Sequence, residues 1–239
     1  MDKYALVTGA DHGLGYELVK KLLEREYIVY AGRLKEEEQM LDKLAESFSG
    51  KLTIFKLDIG SDASVKAMKE LLENVVPCLD VVINNAGILG DITKNIFDEL
   101  DFEEIQRVIN VNAVGTLRVT NSVIPLVMKS RQKLIVNISS EAGSIAQCER
   151  EGWFAYCMSK AAGNMQSALV HNNIRKKGGK VVVIQPGHMA TYMRGHLDTT
   201  AAFTPEESAE GILEQVLDRA LPETERPSFI DNGGNPLAW

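Results

Sequence analysis

Short apolar segments alternate along this chain with longer amphipathic ones, and this alternation constrains the fold more than any other feature. The short segments have the length of β-strands and are Tyr4–Thr8, Tyr27–Ala31, Leu52–Leu57, Val81–Asn84, Leu134–Ile138 and Val181–Gln185. Between them apolar residues recur every three or four positions, as in Leu14, Leu18 and Leu22, which indicates helices with one apolar face. The pattern predicts an α/β fold, a doubly wound parallel sheet between two layers of helices. We expect the 239 residues to form a single domain, 1–239.

Three helices carry clear sequence signals. The longest helical pattern is Asp101–Ser130, and a second runs over about Phe154–Lys176 before Gly178-Gly179 stops it. A later segment begins with Thr204-Pro205-Glu206-Glu207, which supplies an N-cap, a proline at the first helical position and a capping-box glutamate. We expect this last helix to end at Leu221-Pro222.

The composition argues against several kinds of partner. A net charge of −7 does not suit a protein that binds the phosphate backbone of nucleic acids. The three cysteines, Cys78, Cys148 and Cys157, show no C-x-x-C spacing and indicate reduced thiols, so no metal site is predicted. No apolar run of about 18 residues occurs, and the N-terminus enters a strand pattern without the features of a signal peptide. We expect a cytoplasmic protein with no nucleic-acid or membrane partner.

A glycine-rich turn, Thr8-Gly9-Ala10-Asp11-His12-Gly13-Leu14-Gly15, connects the first strand to the first helix. This position predicts that a dinucleotide pyrophosphate binds to the unpaired N–H groups of the helix. Gly9 permits the tight turn, Gly13 the close approach of backbone to phosphate, and Gly15 the close packing of helix on sheet. An ordinary turn is the alternative for such a loop taken alone, but the order of strand, turn and helix favours nucleotide binding.

Tyr156 and Lys160 lie four residues apart in a predicted helix, so both side chains leave the same face. A phenol with its ordinary pKa of about 10 is a poor proton donor near neutral pH, and a nearby ammonium lowers that pKa by stabilising the phenolate. The spacing therefore predicts an acid for proton transfer. Taken alone, the same spacing also describes two ordinary neighbours on a helix surface.

The motifs of this chain, taken in order, resemble those of the short-chain dehydrogenase/reductase family. The matching motifs are Thr8-Gly9-x-x-x-Gly13-x-Gly15, Asn84-Asn85-Ala86-Gly87, Asn137-Ile138-Ser139-Ser140, Tyr156-x-x-x-Lys160 and Pro186-Gly187-x-x-x-Thr191. The ending Phe229-Ile230-Asp231-x-x-Gly234-x-Pro236-Leu237-x-Trp239 is most similar to the C-factor and sniffer-like carbonyl reductase branch. The resemblance covers almost the whole chain and implies a Rossmann-type sheet of about seven strands in three layers.

This resemblance implies four catalytic positions. Tyr156 is then the general acid/base, and Lys160 lowers the pKa of its phenol and holds the nicotinamide ribose. Ser140 polarises the substrate carbonyl, with Ser139 as the alternative, and Asn112 kinks the long helix and anchors a water that relays protons to the lysine. Without the resemblance, the two serines are ordinary turn residues and Asn112 is a buried amide that bonds its own helix.

The resemblance also implies a cofactor path along the carboxyl edge of the sheet. Asp58, after the third strand, recognises adenine; the backbone of Asn84, Ala86 and Gly87 lines the adenosine side; and Thr191 contacts the nicotinamide carboxamide. The other implied cofactor contacts, besides Tyr156 and Lys160, are Gly9, Asp11, His12, Gly13, Leu14, Gly15, Arg33, Ile59, Asn85, Pro186 and Gly187. Each polar residue alone also fits the ordinary Asp or Asn that follows a strand.

The end of the second strand favours NADP(H) over NAD(H). NAD-preferring relatives carry an Asp or Glu there, whose charge repels the 2′-phosphate of NADP, whereas this chain has Gly32. Arg33 follows and offers a charge-assisted fork to a phosphate, and His12 adds a donor from the other side. Two alternatives stay open: Arg33 stacks on adenine, or one of the three glutamates at 36–38 folds back toward the ribose.

The chain departs from the family pattern at two places. Fifteen residues separate Ser140 from Tyr156, more than is usual, so an insertion near Gln147–Trp153 has to bulge outward if the serine is to reach the tyrosine. The charged run Glu149-Arg150-Glu151 fits a solvated loop. His188 stands where relatives carry a bulky residue, and we expect it to line the pocket or the surface without acting as a second acid.

Together these features predict an oxidoreductase that transfers hydride between NADP(H) and a small-molecule carbonyl or alcohol. The substrate pocket is expected among the loops 88–97, 141–155 and 188–203, because loop chemistry decides specificity in such folds. The alternative is a dinucleotide-binding sensor or signalling protein, which the intact acid, lysine and serine positions disfavour. By family likeness, we expect the two long helices to pair across a two-fold axis in a homodimer or homotetramer.

Overall fold

A sheet of seven parallel strands forms the centre of the fold. The computed structural model describes residues 2–35, 37, 39–193, 195–219, 221 and 224–239. The strands are β1 (Lys3–Thr8), β2 (Tyr27–Arg33), β3 (Leu52–Lys56), β4 (Val81–Asn84), β5 (Leu134–Ile138), β6 (Lys180–Gln185) and β7 (Ser228–Asp231). They pair in the order β3-β2-β1-β4-β5-β6-β7, and every pairing is parallel. The strands predicted from the apolar segments are therefore confirmed, with small differences at their ends, and β7 is added by the C-terminal segment.

Helices cover both faces of this sheet. They are α1 (Gly13–Glu24), α2 (Met40–Ser47), α3 (Asp62–Val75), α4 (Phe102–Ile109), α5 (Thr116–Lys129), α6 (Phe154–Ile174) and α7 (Pro205–Leu213). Buried side chains of α1, α2 and α7 pack with strand residues such as Val7 and Val29, whereas those of α3, α5 and α6 pack with Leu6 and Val82. Because successive strand residues point to opposite faces, the two clusters lie on opposite sides of the sheet. The predicted three-layer, doubly wound architecture is confirmed.

The long helical pattern predicted over Asp101–Ser130 is helical throughout but not regular. A π-helical turn, Asn110–Gly115, separates α4 from α5, at the place where the family resemblance implied a kink. The second long helix, α6, ends through a 3₁₀ turn at Gly178, which has the left-handed φ of 79° that glycine tolerates. Within the described residues, no helix combines the length and the apolar character needed to cross a bilayer.

Thr204 starts α7 with the predicted capping box. Its hydroxyl accepts from the backbone N–H of Glu207 at 3.2 Å, and the Glu207 carboxylate accepts from the backbone N–H of Thr204 at 2.8 Å. The helical backbone continues beyond α7 as a π turn that ends at Asp218. It stops short of the predicted end at Leu221-Pro222, of which Pro222 lies outside the described residues.

Replacing Thr204 with Ala is expected to lower the free energy of unfolding by about 1 kcal/mol, because the N–H of Glu207 loses its side-chain acceptor. In a chain of this size, that loss lowers the melting temperature by about 2–4 °C. Thermal melts of Thr204→Ala and of Thr204→Ser, which keeps the hydroxyl, check the effect. Equal melting temperatures for Thr204→Ala and the wild type would show that the cap does not stabilise the fold.

Candidate active site

The glycine-rich turn lies where the strand order reverses, between β1 and its neighbour β4. In an open parallel sheet, ligands bind at this switch point. Thr8 Oγ1 accepts from the backbone N–H groups of Asn85 and Ala86, both at 3.1 Å, and Asn85 Nδ2 donates to the carbonyls of Thr8 and Gly9 at 3.0 and 2.9 Å. Gly9 has a φ of 63°, and a Cβ on it would lie 2.7 Å from the Cα of Ala86. Only glycine therefore lets the turns after β1 and β4 meet in this way.

The first turn of α1 has the properties of an anion site. His12, its N-cap residue, is exposed and extended, and no side-chain capping bond is formed there within the described part of the chain. Gly13 has a positive φ of 56°, and a side chain on Gly15 would collide with the Gly9 carbonyl. The N–H groups that open a helix have no intrahelical partner and bind phosphate oxygens. The turn fits a dinucleotide pyrophosphate, while the side chain of Leu14 is buried in the core.

The chain that follows β6 folds over the glycine-rich turn. Pro186 is anchored because its carbonyl accepts from the hydroxyl of Ser208 in α7, and Gly187 turns the chain with a φ of 84°. Thr191 then lies above Gly13: a Cβ on Gly13 would be 3.6 Å from the Thr191 methyl carbon. The structure thus brings together two segments, at Gly13 and Thr191, that the family resemblance assigned to one cofactor.

His188 stabilises this covering loop. Its Nε2 lies 2.7 Å from the carboxylate of Asp198, which also accepts from the hydroxyl and the N–H of Thr200 at 2.7 and 3.1 Å. Hydrogen bonds from Thr200 and His188 hold the pKa of Asp198 well below its usual range. The His188 side chain is half exposed. Its partner is therefore a loop carboxylate, in line with the expected pocket or surface position.

The residues expected at the adenine end differ in how they can contact a ligand. Asp58 is exposed after β3, and its Oδ1 accepts from the N–H of Gly60 at 2.8 Å. The Ile59 side chain is buried, which leaves its backbone for contacts. Asn84 is also buried, and its amide donates inside the core to Thr120 at 3.1 Å and to Asn137 at 2.8 Å. Only the backbone of Asn84 can line the cleft.

Arg33 at the end of β2 already contacts a carboxylate. Its Nη1 donates to Oδ2 of Asp42 in α2 at 2.6 Å, and the Arg33 side chain is 16% exposed. The preceding Gly32 packs on Leu57, so that a Cβ there would lie 2.6 Å from its nearest atom. A side chain at this position, where the sequence analysis expected an acid in NAD-preferring relatives, would therefore collide with the residue that follows β3. Asp42 was not identified from the sequence, because nothing in its local pattern shows that α2 packs against the end of β2.

Asp11 connects the glycine-rich turn to the loop after β2. Its buried carboxylate accepts from the N–H of Leu34 at 2.8 Å and from the N–H of Lys35 at 2.5 Å. This side chain therefore holds the loop after β2, and the backbone of Asp11 remains for the predicted cofactor contact. Glu36 and Glu38, which were alternatives for binding the ribose, lie outside the described residues.

Tyr156 and Lys160 lie on one face of α6 and are both buried, with 8% and 7% exposure. The Lys160 Nζ is 5.4 Å from the centre of the Tyr156 ring and donates to the Ile138 carbonyl at 3.0 Å. A Cβ on Gly87 would lie 3.8 Å from the same Nζ. The pair therefore faces the ends of β4 and β5, and the alternative of two neighbours on a helix surface is wrong.

The pKa of Tyr156 moves in the direction opposite to the prediction. Burial raises the pKa of its phenol, and the negative charge of Glu141 raises it further. Burial also lowers the pKa of Lys160 to about 8, because the ammonium has lost its water. In the protein alone, the Lys160 ammonium bonds the Ile138 carbonyl and does not offset the burial of the phenol. Tyr156 therefore holds its proton firmly.

Ser140, and not Ser139, lies beside the tyrosine. The Ser140 side chain is close enough to the phenol of Tyr156 to lower its pKa. Ser139 donates instead to Oδ1 of Asn164 at 2.7 Å and is buried. The sequence left both serines open because they are adjacent, and the direction in which the chain leaves β5 separates them.

The insertion before Tyr156 bulges outward, but one of its side chains returns to the site. Residues 147–149 and 151 are exposed, as the charged run predicted. Arg150 instead pairs with Glu141, and its guanidinium carbon lies 5.0 Å from the centre of the Trp153 ring. Glu141 was missed by the sequence analysis, although an acid directly after Ser140 and an arginine nine residues later were visible. Their contact depends on how the insertion folds back.

Asn112 lies in the π-helical turn and holds the loop after β4. Its Oδ1 accepts from the N–H of Ile88 and its Nδ2 donates to the Ile88 carbonyl, both at 2.8 Å. Nδ2 also donates to the hydroxyl of Ser159 on α6 at 2.9 Å. The side chain therefore does not bond its own helix, as the alternative required. The implied role of Asn112 in anchoring a water stays a prediction.

The fold and the site define a class of protein. A parallel sheet with a glycine-rich turn at its switch point, beside a buried tyrosine, lysine and serine, is the arrangement of an oxidoreductase of the Rossmann type. Within the described residues, no group of three or more His, Cys, Asp or Glu side chains is arranged to hold a metal ion.

Comparison with known proteins identifies the family. The short chain dehydrogenase model matches residues 3–202, and the chain belongs to this family. It is 36% identical over 201 residues to 17-beta-hydroxysteroid dehydrogenase type 2 of Homo sapiens. The aligned residues cover 82% of this chain and 50% of that relative. This chain thus spans half the length of that relative.

Solved structures share the whole fold. The carbonyl reductase from chicken fatty liver, with NADPH bound, has a TM-score of 0.88 and 30% identity, covering 100% of this chain and 99% of that one. The carbonyl reductase Sniffer of D. melanogaster has a TM-score of 0.89 and 25% identity, covering 100% of both chains. The family and the branch indicated by the sequence motifs are confirmed.

Proposed function

We propose that this protein is an NADP(H)-dependent carbonyl reductase with Tyr156 as its general acid/base. The observation that carries the proposal is the buried pair of Tyr156 and Lys160 on one helix face, with the Ser140 hydroxyl beside the Tyr156 phenol. Two hydroxyls at one point can both donate to a single carbonyl oxygen, which is where negative charge develops during reduction. The similarity to carbonyl reductases that include one with bound NADPH supports this activity.

Four residues of the chain have separate roles in the reaction. The turn from Gly9 to Gly15 would hold the pyrophosphate of NADPH, which would supply the hydride for the carbonyl carbon when bound. Tyr156 Oη gives its proton to the substrate oxygen, while Ser140 donates a hydrogen bond to the same oxygen. Lys160 places a positive charge 5.4 Å from the phenol ring, where it stabilises the phenolate left behind. Asn112 keeps the loop at Ile88 in place beside them.

Oxidation of NADPH by the purified protein tests this function. A panel of aldehydes, ketones and quinones is used, since the loops at 88–97, 141–155 and 188–203 do not identify one substrate. Turnover that depends on both NADPH and a carbonyl compound supports the reductase. Tight NADPH binding without turnover on any member of the panel would instead favour the alternative of a sensor or signalling protein.

The preference for NADPH over NADH is part of the proposal. Gly32 brings no carboxylate to the ribose, and Arg33 supplies a cation at the end of β2. Arg33→Ala is expected to reduce the preference, measured as the ratio of kcat/KM values, by about tenfold, which corresponds to about 1.4 kcal/mol. Steady-state kinetics with both coenzymes measures the ratio.

Two further variants control the coenzyme experiment. Asp42→Asn removes a carboxylate that contacts Arg33 and is expected to lower the KM for NADPH, because this carboxylate then no longer competes with the phosphate for the guanidinium. Arg131→Ala removes an arginine that precedes β5, at the amino-terminal ends of the strands. This variant is expected to leave the ratio of kcat/KM values for NADPH and NADH unchanged. Equal use of both coenzymes by the wild type, or an unchanged ratio in Arg33→Ala, would rule out recognition of the 2′-phosphate here.

A further inference from the structure

The hydroxyl proton of Ser140 is already donated. Its oxygen lies 2.7 Å from the Glu141 carboxylate and accepts from the N–H of Ala142 at 3.1 Å. A carboxylate only accepts, so the single proton of Ser140 is donated to Glu141. The phenol of Tyr156 lies beside this hydroxyl. A substrate carbonyl can receive the Ser140 proton only in competition with Glu141.

Glu141 is itself held by the insertion. Its Oε1 accepts from Arg150, and the Arg150 guanidinium lies over the Trp153 ring. The Trp153 ring makes an edge contact with the Tyr156 ring, with 6.2 Å between the centroids. The Glu141 side chain is 41% exposed and that of Arg150 29%. The ion pair therefore lies at the rim of the site and closes a chain of contacts from Ser140 back to Tyr156.

The charged and titratable groups around Tyr156 come from four directions. Glu141 follows β5, Arg150 comes from the insertion, and Cys157 and Lys160 share α6 with the tyrosine. The carboxylate of Glu104 on α4 is close to the same end of α6 and accepts from the N–H of Asp91 at 2.9 Å. Next to burial, Glu141 is the strongest influence that raises the pKa of Tyr156, while Arg150 lowers it. Glu141 and Arg150 thus shift the pKa of the phenol in opposite directions.

We propose that Glu141 is a positioning residue for carbonyl reduction. Its carboxylate holds the Ser140 hydroxyl and, with its negative charge partly balanced by Arg150, keeps Tyr156 protonated. This inference rests on the proposed function, because it concerns the same proton. In the reductive step the C–H bond of NADPH that carries the hydride would break as a new C–H bond forms on the substrate, which oxidises NADPH to NADP⁺ and reduces the carbonyl to an alcohol. The O–H bond of Tyr156 breaks as its proton passes to the carbonyl oxygen, and a phenolate remains. At the same time the Ser140 hydroxyl rotates, so that it donates its hydrogen bond to the substrate oxygen and no longer to Glu141. Reduction needs the protonated phenol, and the carboxylate of Glu141 opposes its loss.

The pH dependence of carbonyl reduction tests the inference. The alkaline fall in kcat/KM at saturating NADPH reports the loss of a proton from the coupled pair of Tyr156 and Lys160, and of these two groups Tyr156 is the one whose pKa responds to Glu141 and Arg150. Glu141→Gln removes a negative charge and is expected to move this fall to lower pH by about one unit, the scale of the effect of a neighbouring charge. Arg150→Met removes the balancing positive charge and is expected to move it to higher pH. Glu151→Gln removes an equal charge from an exposed position of the same insertion and is expected to leave it in place.

Each outcome supports or overturns the proposal. Opposite shifts in Glu141→Gln and Arg150→Met support it, because a purely structural role would lower activity at every pH without moving the profile. Unchanged profiles in both variants overturn it and leave the proposed function intact. If the wild type shows no NADPH-dependent turnover on any carbonyl compound, the proposed function fails first. Thermal melts verify folding, and if Glu141→Gln does not fold, the direction of the shift in Arg150→Met decides alone.

Discussion

Replacing Tyr156 with Phe is expected to lower the turnover of carbonyl reduction by about a hundredfold or more while leaving cofactor binding nearly unchanged. The substitution removes only the hydroxyl, which is the proposed proton donor, and a positioned acid contributes about this factor. The ring itself stays packed, since its edge contact with Trp153 at 6.2 Å does not involve the hydroxyl. Ser140 also keeps its bond from the N–H of Ala142. Single-turnover kinetics and fluorescence titration with NADPH measure the two quantities separately.

A matched substitution distinguishes loss of the acid from general damage. Tyr4 is the second residue of β1 and lies at the amino-terminal ends of the strands, whereas the site lies at their carboxyl ends, so Tyr4→Phe removes a phenol hydroxyl away from the site. Its turnover is expected to equal that of the wild type. A Tyr156→Phe protein that turns over at a rate near the wild type would end the proposal that this tyrosine is the acid.

Replacing Lys160 with Met is expected to abolish most turnover and, at pH 7, to stabilise the protein without cofactor. The unfolded chain holds the Lys160 proton with a pKa near 10.5, whereas burial lowers the pKa in the folded protein to about 8. The unfolded state thus binds the proton more tightly, and burying the ammonium costs on the order of 3 kcal/mol below pH 8. Methionine avoids that cost but leaves the Ile138 carbonyl without its donor, which costs about 1 kcal/mol. The expected net gain is about 2 kcal/mol.

The stabilising effect of Lys160→Met depends on pH. Because the folded pKa is depressed, the destabilisation by Lys160 is complete below pH 8 and disappears as pH rises from 8 toward 10.5. Thermal melts should place Lys160→Met about 4–8 °C above the wild type at pH 7, with a smaller difference at pH 10. Lys66→Met, at an exposed position on α3, is the control and is expected to change stability little. A Lys160→Met protein that melts below the wild type at pH 7 would show that the buried ammonium is net stabilising.

Lys160 and Glu141 show that the site is not optimised for stability. A buried ammonium and a carboxylate that competes for the Ser140 proton both oppose the simplest packed arrangement. Groups of this kind are retained at functional sites, where the geometry serves the reaction. The substitutions at Tyr156, Lys160 and Glu141 therefore test the same local arrangement through three different residues.

The local sequence by itself determined the fold class. The strands from β1 to β6, the covering helices and the capping box at Thr204 follow from apolar periodicity and from residues whose conformational preferences act within a few positions. The turn at Gly9, Gly13 and Gly15 was recognised for the same reason, since its glycines are needed by the backbone itself. The spacing of Tyr156 and Lys160 placed both side chains on one face of a helix.

Only the tertiary structure decided which side chains meet across distant segments. The choice of Ser140 over Ser139, the contact of Asp42 with Arg33 and the return of Arg150 to Glu141 depend on how loops and helices pack, and no local pattern encodes this. The direction of the pKa shift of Tyr156 was likewise decided by burial and by Glu141, neither of which the spacing to Lys160 reveals. Electrostatic effects depend on distance and on exclusion of water, and both exist only once the chain has folded.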